Sequence, residues 1–193
     1  MVGVPLDTAF FSAALCGGTC SANSRLGRLN VTRTLGLNPV SGKYEALYAF
    51  GARSFSIWDD AGRLVWDSGD ELEQRTKALS MVNFNASHSN NTLEDRSDNK
   101  GPEPEGVVIG QLGAKTFAFV GLERVGGVIV YDVSSPSSPS FVTYVNTRFG
   151  ASGDLGPEGV AFVPAVQSPS KQPLLIVGNE ISGTTAIFEI ELH

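Results

Sequence analysis

Carboxylates recur at the heads of apolar runs in this chain. "GPEPEGVVIG", from Gly101, and "GDLGPEGVAF", from Gly153, each write Pro-Glu-Gly-Val and so put Glu105 and Glu158 in equivalent places. The match continues downstream: "FVGLERVGGVIVYDV" (Phe119 to Val133) aligns without a gap with "IVGNEISGTTAIFEI" (Ile176 to Ile190), which sets Glu123 against Glu180. Carboxylates brought to one place repel one another unless a cation or arginines neutralise them. An all-oxygen set that includes the Asn179 amide suits calcium or magnesium, and an open coordination position would activate water or polarise a phosphoryl oxygen. Arg53 and Arg124 offer guanidiniums whose paired donors match phosphate. His88 is the one internal histidine and the default acid or base near neutral pH. The alternative is structural: Glu123 with Arg124, or Glu158 with a neighbouring arginine, as ion pairs at strand ends, and His88 as a solvated loop residue.

Such a cluster needs elements that deliver these residues to one face. The middle copy reads as four short strands, Gly106 to Ile109, Thr116 to Val120, Val128 to Val133 and Phe141 to Val145, separated by Gly, Pro and Ser turns. "YAFGARSFSIWD" (Tyr48 to Asp59) reads as a third, earlier copy. Repeats of about 40 to 50 residues, each a four-stranded meander, are the signature of β-propeller blades. The expected fold is therefore all-β, with about three blades at about 26–68, 102–147 and 154–193, preceded by an arm over 1–25. Within a blade the first two strands are antiparallel, so the start of the first and the end of the second share one end of the sheet. That places Glu105, Glu123, Glu158 and the Asn179–Glu180 pair around one mouth, with Arg53 and Arg124 among them. Asp59 and Asp132 close outer strands and read as structural.

Residues 69–101 read as an insertion. "SGDELEQRTKAL" has Ser68 and Glu71 at capping-box spacing, which predicts a helical turn or two. The polar run after Met81 is longer than an ordinary connection.

Composition narrows the function classes. With 14 basic against 20 acidic residues in 193, and no run of Lys or Arg, the electrostatic footprint of a nucleic-acid binder is missing. No apolar run approaches the roughly 18 residues of a membrane helix. Cys16 and Cys20, in "CGGTC", are one residue too far apart for CxxC and read as a free or incidental pair. The opening "MVGVPLDTAFFSAALCGG" carries an Asp, lacks a basic n-region and does not read as a signal peptide. Three sequons begin at Asn30, Asn85 and Asn90 and read as surface positions. No GxSxG elbow, phosphate loop or HExxH helix is present.

"GRLNVTRTLG", "YEALYAFGARSFSIWD", "LVWDSGDELEQ", "DRSDNKGPEPEGVVIG", "FAFVGLERVGGVIVYDV", "GDLGPEGVAF" and "PLLIVGNEISGTTAIFEI" together resemble, in order, the C-terminal part of the choice-of-anchor I domain. The likeness runs from about Leu26 to Ile190. Members of that family resemble phytase-like propellers and are often labelled alkaline phosphatases or cell-surface glycoproteins. The resemblance implies a secreted, periplasmic or cell-surface β-propeller acting as a metal-dependent phosphoric-ester hydrolase on a small phosphorylated substrate. The metal would be a divalent ion, calcium first, with zinc, manganese or magnesium as alternatives. A non-catalytic surface or adhesion propeller is the rival reading. One departure is "LNPVSGK" (Leu37 to Lys43), where the family tends to carry an Asp-rich, calcium-loop-like turn. Closed propellers need about four to eight blades. Three per chain therefore predict a homo-oligomer, two copies completing a six-bladed ring.

Overall fold

The structure is a computed structural model and describes residues 3–51, 53–79 and 84–192. The chain forms two compact units, Met1–Ala52 with Ser97–Lys100, and Arg53–Arg96 with Gly101–His193. Regular structure in the second unit is mostly β.

The first unit holds a single turn of helix, α1 (Ala13–Cys16), and a two-stranded sheet of β1 (Leu37–Asn38) and β2 (Lys43–Tyr44). Within the N-terminal arm, Pro5 to Asp7 lie along β2. Leu6 bridges to Tyr44, the Tyr44 amide donates to the Pro5 carbonyl, and the Asp7 amide donates to the Tyr44 carbonyl. The cysteines are neither free nor incidental: Cys16 and Cys20 form a disulfide. Gly17 explains the closure. It caps α1 in the left-handed region at φ 63°, a conformation open to glycine at little cost, and turns the chain back. The two Cα atoms thereby come within 5.3 Å.

The second unit begins with a hairpin of β3 (Ser56–Trp58) and β4 (Leu64–Asp67), followed by α2 (Glu71–Ala78). A four-stranded antiparallel meander follows, β5 (Pro104–Leu112), β6 (Lys115–Leu122), β7 (Val128–Asp132) and β8 (Ser140–Val145). After a small hairpin of β9 (Arg148–Phe149) and β10 (Ser152–Gly153) comes a three-stranded meander, β11 (Pro157–Val163), β12 (Leu174–Asn179) and β13 (Thr184–Glu189). The four strands expected between 106 and 145 are all present. The expected first blade is not: within 26–68, β1–β2 and β3–β4 are separate two-stranded sheets in different units. The last meander has three strands among the described residues.

The core of this unit explains the short apolar bursts. β6 and β7 are covered on both faces, so "TFAFVGL" and "VIVY" read as continuous apolar runs. Ala118, Val120, Leu122, Ile129 and Tyr131 pack on one face with Leu72 of α2 and with Phe55 and Trp66. Phe117, Phe119, Val128 and Val130 pack on the other with Leu175, Val177 and Phe188. Alternation along β6 thus distributes one strand between two cores. α2 presents Leu72 and Thr76, four residues apart, to the interior, and pairs Glu71 with Arg75 outside at 2.8 Å. Its N-cap is Asp70, not Ser68, because the Ser68 hydroxyl accepts the Phe55 amide instead.

β5 and β11 approach closely where their Pro-Glu-Gly segments lie. A Cβ on Gly106 would stand 2.4 Å from the Glu158 carbonyl oxygen, and one on Gly121 would stand 3.2 Å from that of Pro157. Gly106 is therefore the residue that lets the two carboxylate-bearing strand ends come together. At Gly159, its repeat partner, an added Cβ would meet nothing within 4 Å.

Candidate functional site

Glu105 opens β5, and the start of that strand pairs with the end of β6 through Pro104 and Leu122, so Glu123 follows at the same end. In the next sheet Pro157 pairs with Asn179, which brings Glu158 and Glu180 to the matching end. Two of the four glutamates, Glu123 and Glu158, have their pKa raised in part by the charges of the others. Glu123 feels Glu105 and Glu180, and Glu158 feels Glu180 and Glu105.

Glu103 is a fifth member. Its carboxylate is buried, and one oxygen each from Glu103, Glu105 and Glu123 lie within 4.8 Å of one another. Glu103 sits two residues before Glu105 with φ 57°, a left-handed conformation uncommon for a side chain this large. Its carbonyl accepts the Glu123 amide at 2.9 Å, which ties the two segments together.

Guanidiniums partly neutralise this group. Arg124 donates through Nε to Glu103 Oε2 at 2.6 Å, and its Nη1 forms an ion pair with Glu123 Oε1 at 2.9 Å. Arg96 stands 3.6 Å from the same Glu103 oxygen. Burial alone would lower the Arg124 pKa, but the hydrogen bond to Glu103 and the charges of Glu103, Glu123 and Glu105 outweigh it and hold the pKa above its ordinary value. For Glu123 burial is the largest influence, reinforced by Glu103, Glu105 and Glu180. Together they overcome Arg124 and push its pKa up to about 7. Glu158, on the exposed side, is raised first by the charge of Glu180 and then by their shared hydrogen bond.

His88 lies against Arg124, and its Nδ1 stands 3.7 Å from Glu123 Oε1. Burial and then the Arg124 charge lower its pKa, so the ring is neutral at pH 7. The polar loop that carries it is held by Arg148, a buried residue that sequence reasoning did not single out. Arg148 donates to the carbonyls of Ser87 at 2.7 Å, Asn90 at 2.8 Å, Gly150 at 2.6 Å and Arg124 at 2.7 Å. Burial lowers its pKa too.

Other expected site residues are engaged elsewhere. Arg53 pairs with Glu73 of α2 at 2.7 Å, and the same Glu73 oxygen accepts the Asn85 amide at 2.6 Å. Asn179 is buried with its amide nitrogen turned to Thr184 Oγ1 at 3.4 Å. Asp59 and Asp132 pair with Arg63 at 2.7 Å and Lys115 at 3.0 Å, as structural residues should. A separate apolar cavity of about 270 Å³ between the two larger sheets, lined by Phe117, Phe119, Leu175 and Phe188, does not include these carboxylates.

The oxygen set of Glu103, Glu105 and Glu123 fits a hard cation. The three oxygens lie within 4.8 Å of one another, and calcium and magnesium take carboxylate oxygens as ligands. Sulfur and histidine-rich donor sets, which would favour zinc, are not part of the cluster.

A family model, the choice-of-anchor I domain, matches residues 3–136. The chain belongs to the choice-of-anchor I domain family. The match takes in the N-terminal residues that the sequence motifs left out and stops before β11, so the last meander lies beyond it. Gigasin-3a of Magallana gigas is 29% identical over 184 residues, covering 86% of this chain and 64% of the relative. A mesenchyme-specific cell surface glycoprotein of Strongylocentrotus purpuratus is 24% identical over 137 residues, covering 63% of this chain and 18% of the relative. The chain spans less than two thirds of the length of either relative. No solved structure gives a significant match.

Proposed function

We propose that this chain is a non-catalytic, calcium-binding module of a secreted or cell-surface protein, with the carboxylate face as its binding surface. The observation that carries this is the convergence of the Glu103, Glu105 and Glu123 oxygens within 4.8 Å, with Glu158 and Glu180 beside them. Arg124 and Arg96 pair with Glu103 and Glu123, and Glu105, Glu158 and Glu180 add further carboxylates to the same end of the sheets. The arginines expected to steady a phosphoryl group are drawn into ion pairs, Arg124 with Glu103 and Glu123, and Arg53 with Glu73. The Cys16–Cys20 disulfide suits an oxidising compartment, and one relative is named a cell surface glycoprotein. Through the bound ion or beside it, the face would hold a sugar or protein partner.

The two larger meanders are read as neighbouring blades of a β-propeller. Further blades would come from a second copy in a homodimer, which sedimentation tests.

One observation favours a second reading, a metal-dependent phosphoric-ester hydrolase. His88 is neutral and lies beside Glu123 and Arg124, where it is suited to accept a proton. A panel of chromogenic phosphate mono-, di- and triesters, with EDTA and then with calcium, magnesium, manganese or zinc restored, separates the two. The binding reading expects thermal stabilisation by calcium without turnover. Turnover abolished by EDTA and restored by one metal would replace it with the hydrolase.

A further inference from the structure

The three sequons differ in what the fold allows at each. Asn85-Ala86-Ser87 is closed: Asn85 is 0% exposed, and its Nδ2 donates to Glu73 Oε1 at 2.6 Å. Asn90-Asn91-Thr92 is half-buried; its Nδ2 bonds Asp95 and its carbonyl accepts from the buried Arg148. Asn30-Val31-Thr32 is open. Asn30 is exposed, while its backbone amide donates to the Asp98 carbonyl at 2.7 Å, and the Val31–Ala49 bridge and the Thr32 amide to Tyr48 carbonyl bond fix the chain on either side.

We propose that Asn30 is an N-glycosylation site of this protein, and that Asn85, despite its matching motif, carries no glycan in the folded chain. The reaction replaces one hydrogen of the Asn30 amide. Nδ2 bonds to the anomeric carbon of a lipid-pyrophosphate-linked oligosaccharide, the carbon–oxygen bond to phosphate breaks, the lipid pyrophosphate leaves with the electron pair, and the amide gives up one proton. Nδ2, which donates to Asp98 Oδ2 at 3.3 Å, keeps its second hydrogen after the modification. At Asn85 the sugar would have to displace the contact with Glu73 inside a position closed to solvent. A second, independent observation supports a setting where this chemistry operates. The Cys16–Cys20 disulfide belongs to an oxidising environment, which the secretory pathway shares with the glycan-transfer reaction.

The test is secretion of the full chain from animal cells behind an added cleavable signal peptide, followed by enzymatic glycan release in heavy-oxygen water and peptide mass spectrometry. The peptide containing Asn30 should carry the heavy-aspartate mark. Asn30→Gln and Thr32→Ala should each remove one glycan from the intact mass, while Ser87→Ala leaves that mass unchanged apart from the substitution. A bare Asn30 in secreted protein whose disulfide has formed would overturn the proposal, as would a glycan on Asn85. Thr32→Ala leaves Asn30 itself in place, so loss of the glycan there cannot be ascribed to loss of the asparagine.

Discussion

Glu123→Gln should abolish a pH dependence of stability that the fold builds into one side chain. Glu123 is 5% exposed, and its pKa rises from an ordinary 4.5 to about 7, chiefly through burial. Each pH unit of displacement is worth about 1.4 kcal/mol. The penalty on the charged form is then about 3 kcal/mol. Between pH 4.5 and 7 the folded state binds the proton more readily than the unfolded chain does. The contribution is therefore fully present below 4.5 and lost as pH rises through about 7. His88 acts in the opposite sense, because its lowered pKa favours the neutral ring and makes stability rise toward pH 6.5. The raw wild-type profile partly cancels, and the difference between variant and wild type isolates the glutamate. Denaturant unfolding in EDTA, stepped from about pH 4.5 to about pH 8, should show the variant gaining about 3 kcal/mol on the wild type. Parallel profiles, or a variant that loses ground as pH rises, would refute the reasoning.

Removing the counter-charge should do the reverse: Arg124→Met leaves Glu103 and Glu123 buried and should cost about 3–5 kcal/mol in urea unfolding at neutral pH. The two repeat glycines should respond differently. Gly106→Ala drives a Cβ against the Glu158 carbonyl and should cost about 1–3 kcal/mol, whereas Gly159→Ala, with open space around it, should be near neutral in the same assay. Arg148→Met should strip four carbonyls of their donor and speed amide hydrogen exchange in residues 84–96 before it affects β6 and β7.

The parts legible in the sequence were those set by neighbours. β5 to β8 announce themselves because each apolar run ends at a turn residue such as Gly113, at φ 61°, and because β6 is buried on both faces. Register then carries Glu105, Glu123, Glu158 and Glu180 to one end, a consequence of antiparallel pairing alone. Glu103 was within reach, since "EPE" sets two carboxylates two residues apart at a strand entrance. The rest depends on distant partners. Arg148 meets Ser87 across 61 residues, and Arg124 meets His88 across 36, with no local pattern to mark either. "YAFGARSFSIWD" resembles the later copies, yet among its described residues only Ser56–Trp58 forms a strand, because its partner is the nearby Leu64–Asp67 and Arg53 is drawn to Glu73. The disulfide turns on Gly17 adopting a left-handed cap, which spacing alone does not reveal.

Whether the carboxylate face takes a divalent cation is decided by calorimetric titration of the EDTA-stripped chain with calcium at about pH 8, above the Glu123 pKa. Glu105 is exposed, so Glu105→Gln removes one donor without disturbing the core. The wild type should bind saturably, EDTA should reverse that binding, and Glu105→Gln should weaken it by at least about tenfold, a loss of about 1.4 kcal/mol, with an unchanged melting temperature in EDTA. No heat from the wild type, or equal affinity in the two proteins, would contradict it.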